Sequence, residues 1–218
     1  WTLEFSGINQ TSYTIYDLDY SSTYEIRVSS VCGSESKSYT VSARTDCGAI
    51  STLPFMETFD RWTAGNNVAL DPCWSRISYS VGTSFVYPNV VTDQYLSASN
   101  SIRISANASN QSALILPPFN FDVNTLKLTF SMRKTVTTQH GLIIGVITDP
   151  TDVSTFTAID TVDNTSNTEW ETFEISLENY NGTEGQIAML LPKTSSGSAL
   201  RYIDNVIVNE LYVNCEVI

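Results

Sequence analysis

The chain has 218 residues, 42% of them hydrophobic and 11% aromatic, which is enough to bury one sizeable core and a smaller second one. It carries 23 acidic side chains against 11 lysines and arginines, for a net charge of -12. This excess of negative charge argues against nucleic acid or anionic lipid as a partner, because both need a concentrated cationic face. No apolar run is long enough to cross a bilayer.

Residues 1–46 show the alternation of a short β-meander, with the candidate strands TLEFSG, SYTIYDL, TYEIRVSSVC and SYTVSART. Leu18 stands six residues before Tyr24, the spacing of a tyrosine corner, and Tyr24, Ile26 and Val28 are predicted to point inward. With this corner, the stretch resembles the second half of a fibronectin type III domain, an Ig-like sandwich. The earlier strands of such a domain are missing, so we expect an incomplete sandwich whose other residues lie before Trp1.

The four cysteines, Cys32, Cys47, Cys73 and Cys215, include no CxxC pair, and His140 is the only histidine, which argues against a zinc site. The even number of cysteines and the scarcity of lysine favour disulfides in an exported protein. We predict one bridge per domain, Cys32 to Cys47 and Cys73 to Cys215. The alternatives are two buried free thiols for the first pair, and a partner outside the chain for Cys215.

The segment DCGAISTLPFMETFD predicts a boundary followed by a first strand. GAISTLPF should be a short, stiff junction because Pro54 fixes its own backbone angle and restricts Leu53. Beyond it no stretch keeps a helical pattern for three turns, so an all-β fold is predicted. TLKLTFSMR alternates cleanly, whereas GLIIGVIT is apolar on both faces and predicts a central strand covered on both sides. The remaining candidate strands are SIRISA, SALIL, TFEISL, QIAMLL and YIDNVIV.

Two acidic residues interrupt apolar strands at the two ends of this region. With a period of two, Phe55, Glu57 and Phe59 share one face, and Tyr202, Asp204 and Val206 share another. The first and last strands of an antiparallel sandwich commonly lie side by side, so a hard cation could satisfy both carboxylates. The alternative is that Asp204 accepts backbone N–H bonds or pairs with an arginine; the candidates are Arg76, Arg103 and Arg201.

Five segments together resemble one family: LPFMETFD, DPCW, LIIGVITDPTDVSTFTAIDTV, EWETFEISLENYNG and RYIDNVIV. They are similar to the adhesin-type jelly rolls of bacterial surface proteins, which are related to MAM domains and include the cleaved-adhesin and choice-of-anchor J modules. The resemblance runs from Leu53 to Val208 and implies a galactose-binding-like jelly-roll β-sandwich. It also implies a structural calcium or sodium ion between the first and last strands; the ligands carried over are Glu57 and Asp204, with Asp60 and Asn205 as further oxygen donors.

The predicted organisation has four parts. Residues 1–46 form the partial fibronectin type III domain, 47–54 a linker, and 55–210 the MAM-like jelly-roll domain. Residues 211–218 are a tail or the start of a following module. The chain is expected to be a monomeric part of a longer multidomain protein.

No catalytic constellation is evident in the sequence. His140 has no serine or cysteine motif near it, and GxSxG and phosphate-binding loops are absent. The acidic pairs Asp149 with Asp152 and Glu169 with Glu171 lie in DPTD and TEWE, which are typical of turns and surfaces. We therefore predict a protein without enzymatic activity.

The segment SRISYSVGTSFVYPNVVTDQYLSAS is long, irregular and aromatic, and it is the predicted glycan-binding surface. Its candidate ligand-binding residues are Tyr79, Tyr87, Asn89, Asp93 and Tyr95. The alternative is that these rings cap the sandwich. Trp74 and Trp170 are assigned to packing, whereas Trp62 fits either role.

The sequence therefore predicts a non-catalytic module of a secreted or outer-surface bacterial protein. It would be carbohydrate-binding or adhesive, with a glycan or a host surface protein as its partner. The alternative function is a structural spacer that displays a neighbouring catalytic or adhesive domain. Glycan binding by the module would separate the two.

Overall fold

The computed structural model describes residues 5–8, 10–16, 18, 22–32, 35–45, 47–71, 73–82, 84–135, 140–165 and 169–211, with the backbone alone at 31, 32 and 35. The chain divides into two compact units, Trp1–Gly48 and Ala49–Ile218. Apart from two short 3₁₀ helices, Val123–Thr125 and Val153–Thr155, the regular elements in these ranges are strands. The all-β prediction is confirmed.

Fifteen strands are described in these ranges. In chain order they are β1 (Thr23–Cys32), β2 (Glu35–Arg44), β3 (Phe55–Glu57), β4 (Ser75–Ile77), β5 (Tyr79–Val81), β6 (Phe85–Tyr87), β7 (Asn89–Val91), β8 (Ser101–Asn107), β9 (Ser112–Ile115), β10 (Leu126–Lys134), β11 (Leu142–Ile147), β12 (Phe156–Val162), β13 (Glu171–Ser176), β14 (Gln186–Leu191) and β15 (Ser198–Glu210).

The second unit is a sandwich of two antiparallel sheets. The front sheet has the order β13, β10, β15, β8, β7, and β3 also pairs with β15. The back sheet has the order β12, β11, β14, β9, β4. Strands β5 and β6 form a separate hairpin. The pairing of β3 with β15 confirms that the first and last strands of the unit lie side by side.

The core lies between the two sheets and follows the alternation of the sequence. Leu126, Leu128, Phe130 and Met132 of β10 are fully buried in it, as the pattern of TLKLTFSMR predicts. Trp74 is also buried in the core, and its ring meets those of Phe59 and Trp62 at 5.5 Å. Burial of each such large apolar side chain stabilises the fold by about 1.5–3 kcal/mol.

Trp74 and Trp170, the two tryptophans assigned to packing, differ in outcome. Trp74 is a core residue, as predicted. Trp62, for which the sequence left two roles open, packs edge-on against Phe59 at 5.0 Å and so has a packing role. Trp170 is only half-buried and lies outside the core cluster.

Strand β11 is a central strand covered on both sides, as its apolar pattern predicts. It lies between β12 and β14, and its Ile144 and Val146 face the main core. On the opposite face Ile147 joins a small second cluster, against which Phe156 packs. A Cβ atom at Gly145 would come within 2.6 Å of the Phe156 ring, so this ring lies directly over the glycine backbone.

A bulge in β15 reverses the faces of this strand. Asn205 has a left-handed backbone with φ of 52°, and the register between β10 and β15 shifts at the same point. Ile203 and Val206 therefore both face the core, whereas Asp204 pairs with Ser131 on the outer face of the front sheet. The prediction that Tyr202, Asp204 and Val206 share one face was wrong, because an added residue in a strand inverts the alternation beyond it.

The described part of the first unit is a two-stranded ribbon. Strands β1 and β2 pair antiparallel, with Ile26 opposite Val41 and Val28 opposite Tyr39. Residues 5–8 and 10–16 form no strand, although TLEFSG and SYTIYDL were predicted as strands. Of the three residues predicted to point inward, Tyr24 and Ile26 are half-buried and Val28 is exposed, as is Tyr39 opposite it. The described residues of this unit include no second sheet that could cover them. The predicted tyrosine corner includes residues outside the described ranges.

The cysteine pairing differs from the prediction. Cys47 is disulfide-bonded to Cys73, so neither can pair with its predicted partner, Cys32 or Cys215. Cys215 and the side chain of Cys32 lie outside the described part of the chain. Four cysteines allow three pairings, and spatial proximity rather than sequence spacing selects among them.

The predicted linker also pairs with the sandwich. The N–H of Ile50 donates to the carbonyl of Pro118 at 2.8 Å, and the N–H of Asn120 donates to the carbonyl of Ile50 at 2.9 Å. These bonds make the segment around Ile50 part of the second unit.

Candidate functional site

Asp204, the residue predicted to close a metal site, is bound by a loop. Its side chain is fully buried, and its Oδ2 accepts the backbone N–H groups of Leu96 at 2.7 Å and Ser97 at 3.0 Å. Its Oδ1 accepts the N–H of Asn205 at 2.7 Å and the Ser97 hydroxyl at 3.2 Å. Burial raises the pKa of Asp204, although these hydrogen bonds favour the charged form and act against that rise.

The alternative in which Asp204 accepts backbone N–H bonds is therefore confirmed, and the three arginines considered as its partners are engaged elsewhere. Arg76 donates to the carbonyl groups of Val68 and Pro88. Arg103 bonds the side chains of Asn66 and Asn89. Arg201, which is fully buried, pairs with Asp163 at 3.0 Å, and Lys134 reaches the other oxygen of Asp163 at 3.3 Å.

The other predicted metal ligands are also bonded within the protein. Glu57 accepts the N–H of Phe59 at 2.6 Å, and burial raises the pKa of Glu57. Asp60 accepts the Thr58 hydroxyl at 2.9 Å and the N–H of Asn100 at 3.1 Å. The side-chain oxygen of Asn205 accepts the Ser97 hydroxyl at 2.9 Å.

These four residues do not converge on one point. Glu57 stands opposite Val206, which faces the core, whereas Asp204 lies on the outer face of the same sheet. Across the described residues, no three His, Cys, Asp or Glu side chains are grouped so that they could hold a metal ion. The donor set as arranged does not fit calcium, which takes six to eight oxygen ligands. The calcium ion remains a prediction that rests on the sequence resemblance alone.

The five predicted ligand-binding residues do not form one patch. Tyr79 is only 8% exposed and its hydroxyl bonds Ser105 at 3.0 Å, and Asn89 is buried and bonds Gly65 and Arg103. Tyr87 is half-buried, whereas Asp93 is exposed and Tyr95 is 44% exposed. Two of the five therefore support the surface, and Tyr87, Asp93 and Tyr95 remain near solvent.

Arg103 lies beside three of these residues, Tyr87, Asn89 and Asp93. It projects from the outer face of β8, because its neighbours Ile102 and Ile104 face the core. Its guanidinium carbon lies 5.4 Å from the centre of the Tyr87 ring and 5.9 Å from that of Phe85. Its Nε donates to Asn89 at 3.3 Å and its Nη2 donates to Asn66 at 3.1 Å. The β5–β6 hairpin and two amides thus hold this side chain in place.

A row of three side chains crosses the front sheet at this point. In the register of β8, β15 and β10, Arg103 stands opposite Tyr202, and Tyr202 stands opposite Arg133. Burial, and then the charge of Asp93, raise the pKa of the Tyr202 phenol, while Arg103 acts in the opposite direction. Asp93 lines the same depression as Arg103, which places this carboxylate beside the row.

A shallow depression of about 290 Å³ opens beside Arg103. Its lining residues are Ala64, Gly65, Asn66, Val90, Val91, Thr92, Asp93 and Arg103. The lining combines a cation, a carboxylate and an amide with small apolar groups. Such a surface can bond hydroxyl and carboxylate groups of a ligand.

The sequence contained a signal for Arg103 that pattern reasoning did not use. SIRISA alternates, so Arg103 must point away from the core, but the pattern does not indicate which outer residues a distant hairpin will cover. The sequence predicts Arg103 only as a possible partner of Asp204. Phe85 lies within the aromatic segment, and Asn66 belongs to no recognisable motif.

The acidic pair of the DPTD turn has the structural role predicted for it. Asp149 accepts the N–H and the hydroxyl of Thr151 at 2.8 and 2.7 Å, bonds that lower the pKa of Asp149. Asp152 accepts the N–H of Ser154 at 2.9 Å and so caps a 3₁₀ helix. Both acids stabilise a turn.

In the described part of the chain, no helix is long and apolar enough to cross a membrane.

Comparison with known proteins identifies the fold. No protein-family profile matches the chain, and no curated protein matches it in sequence. Among solved structures, the chain is similar to the K2 cleaved adhesin domain of Lys-gingipain, with 11% identity and a TM-score of 0.51, over 73% of this chain and 99% of that one. It is likewise similar to the K1 cleaved adhesin domain of Lys-gingipain from Porphyromonas gingivalis, with 13% identity and a TM-score of 0.50, over 74% and 100%.

A xylan-binding domain from Paenibacillus barcinonensis matches at 13% identity and a TM-score of 0.45, over 77% of this chain and 99% of that one. At these identities the likeness concerns the fold alone. The two antiparallel sheets, and the likeness to the two cleaved adhesin domains, show that the second unit has the jelly-roll β-sandwich fold of adhesin-type modules, as the sequence predicted.

Proposed function

We propose that this protein is a non-catalytic carbohydrate-binding module of an exported bacterial surface protein. The observation that carries the proposal is the depression beside Arg103, where a fixed guanidinium, the exposed Asp93 and the Tyr87 ring lie close together. Sugar rings pack against aromatic faces, and their hydroxyls bond charged and amide side chains. The Cys47–Cys73 bridge supports export, because disulfides persist in oxidising compartments.

The cleaved adhesin domains that share this fold are named for adhesion, which supports the same class of function. An adhesive role would take a glycan, or a host surface protein, as the partner. The absence of a catalytic motif in the sequence agrees with a binding module, and the DPTD acids are engaged in a turn.

The second candidate function is a structural spacer, favoured by the burial of Tyr79 and Asn89. In that case the aromatic segment caps the sandwich and binds nothing. A glycan array probed with the whole chain separates the two functions. Reproducible binding that Arg103→Ala removes, at an unchanged melting temperature, supports the carbohydrate-binding module. Silence across the array would favour the spacer.

A further inference from the structure

Arg103 is positioned entirely by neutral groups. Its side-chain hydrogen bonds go to the amide oxygens of Asn66 and Asn89 and to the Tyr202 phenol, and its guanidinium lies against the rings of Tyr87 and Phe85. None of these five partners carries a negative charge. These contacts therefore leave the guanidinium charge without a counter-charge in direct contact, and N–H donors are left over, since the group carries five and these bonds use three.

This absence of a carboxylate partner is notable in so acidic a chain. The sequence has 23 acidic residues for 11 basic ones, yet within the described residues Arg103 makes no ion pair. The ion pairs described there engage Lys127, Lys134 and Arg201 instead. Arg133, on the other side of Tyr202, bonds the uncharged Gln94. Within the described residues, two guanidinium groups on one sheet face thus make no direct ion pair.

Asp93 limits which anion can bind here. It lines the same depression as Arg103, and its charge acts on Tyr202. A ligand with several adjacent charges would be repelled by this carboxylate. A ligand with one carboxylate beside several hydroxyls would place its charge on Arg103 and donate a hydroxyl to Asp93.

The geometry points to an acidic saccharide, one that contains uronic acid residues, as the ligand of this surface, with Arg103 binding the sugar carboxylate and Asp93 accepting a hydroxyl. This inference rests on the proposed carbohydrate-binding function and names its substrate class. A planar guanidinium binds a carboxylate through two parallel hydrogen bonds, a geometry that lysine cannot reproduce.

The test compares each acidic oligosaccharide with its own methyl ester. Titration calorimetry on the whole chain uses oligomers of galacturonate, glucuronate and mannuronate, each in the free acid and the fully methyl-esterified form. The two forms share every ring and hydroxyl and differ in charge. We expect at least one acid form to bind about tenfold or more tightly than its ester, with affinity falling as salt rises.

Variants then assign the effect to Arg103. Arg103→Gln should remove the preference for the acid form, whereas Arg103→Lys, which keeps the charge but not the planar group, should keep part of that preference. Arg61→Gln is the matched control, because Arg61 is an exposed arginine of the same unit outside the depression. Its affinity should equal that of the unchanged protein. The comparison of acid with ester needs no variant, so it stands even if Arg103→Gln fails to fold.

The possible failures are distinguishable. Equal affinity for an acid and its ester would overturn the acidic class and leave carbohydrate binding intact. Polyglutamate that bound as tightly as the oligosaccharides would also overturn it, since charge alone would then suffice. Silence toward every saccharide, neutral or acidic, would overturn both this inference and the proposed function.

Discussion

Asp204 accepts both the backbone N–H and the hydroxyl of Ser97, a residue 107 positions earlier in the chain. Together with the bond from the N–H of Leu96, this contact fastens the segment around Leu96 and Ser97 onto the outer face of the front sheet. The fastened segment carries Asp93 and Tyr95. A carboxylate inside an apolar strand is thus explained by a loop that needs an acceptor, and that loop borders the candidate binding surface.

Replacing this carboxylate should loosen the segment. Asp204→Ala leaves the N–H groups of Leu96 and Ser97 without an acceptor, so we expect the free energy of unfolding to fall by about 3 kcal/mol. The urea midpoint measures the change. Asp122→Ala is the control, because Asp122 is exposed and makes no capping bond, and it should change stability by less than about 0.5 kcal/mol. Equal losses in the two variants would contradict the role assigned to Asp204.

The raised pKa values of Asp204 and Glu57 predict an unusual pH dependence. A folded-state pKa above the unfolded value means that the folded protein binds the extra proton, so the contribution to stability is greatest at low pH. It should be fully present below the ordinary values of 3.8 and 4.5, and lost as pH rises through the folded-state values.

The pH dependence of the whole protein sums over all of its carboxyl groups, so isolating these two needs a variant. We expect the double variant Asp204→Asn with Glu57→Gln to lose this component. As pH falls from 7 towards the ordinary values of 4.5 and 3.8, the unchanged protein should gain stability relative to the double variant in urea titrations. A relative loss over the same interval would show that these carboxyls prefer their charged forms in the fold.

Sequence pattern was sufficient for the sandwich but not for the face of each side chain in β15. The alternation in β10 and the double-sided apolar pattern of β11 follow directly from which faces are buried. Asn205 is compatible with either an extended or a left-handed backbone, and its φ of 52° is fixed by tertiary context. One such residue was enough to place Asp204 and Val206 on opposite faces.

The candidate site was only partly predictable for a related reason. The irregular segment from Tyr79 to Tyr95 predicts surface residues, and Asp93 and Tyr95 are indeed exposed, whereas Tyr79 and Asn89 are buried. Which of them become structural depends on contacts with β8, such as the bond of Tyr79 to Ser105. Arg103 acquires its role from a hairpin and from Asn66, which lies 37 residues away in sequence.

Calcium removal tests the remaining prediction about metal. Because the Asp204 oxygens already accept bonds from Leu96, Ser97 and Asn205, we expect EDTA to leave the melting temperature within about 1 °C of its starting value. The same scan with added magnesium controls for unspecific ion effects. A fall in melting temperature that calcium reverses, and magnesium does not, would support the calcium site that the family resemblance implies.

The disulfide can be tested directly. Peptide mapping without reduction should recover a peptide joining Cys47 to Cys73. Replacing both by serine should lower the free energy of unfolding by about 3 to 4 kcal/mol, since the bridge closes a loop of roughly 25 residues in the unfolded chain. Reductant should lower the melting temperature of the unchanged protein to that of the double variant. A peptide joining Cys32 to Cys47, or Cys73 to Cys215, would contradict the Cys47–Cys73 bridge.

Two tyrosines of the same segment should separate packing from binding. Tyr79 is 8% exposed and bonds Ser105, so Tyr79→Ala should lower the free energy of unfolding by about 3 kcal/mol, the scale of losing a buried ring.

Tyr95 is 44% exposed, so Tyr95→Ala should leave the melting temperature unchanged. If the surface beside Arg103 binds a saccharide, Tyr95→Ala should weaken that binding by about 1 to 3 kcal/mol, because a ring packed on a sugar is an anchoring contact. Calorimetric titration and thermal melts of both variants measure the two effects independently. Loss of stability in both, with no change in saccharide affinity, would mean that the segment only caps the sandwich, as the spacer function requires.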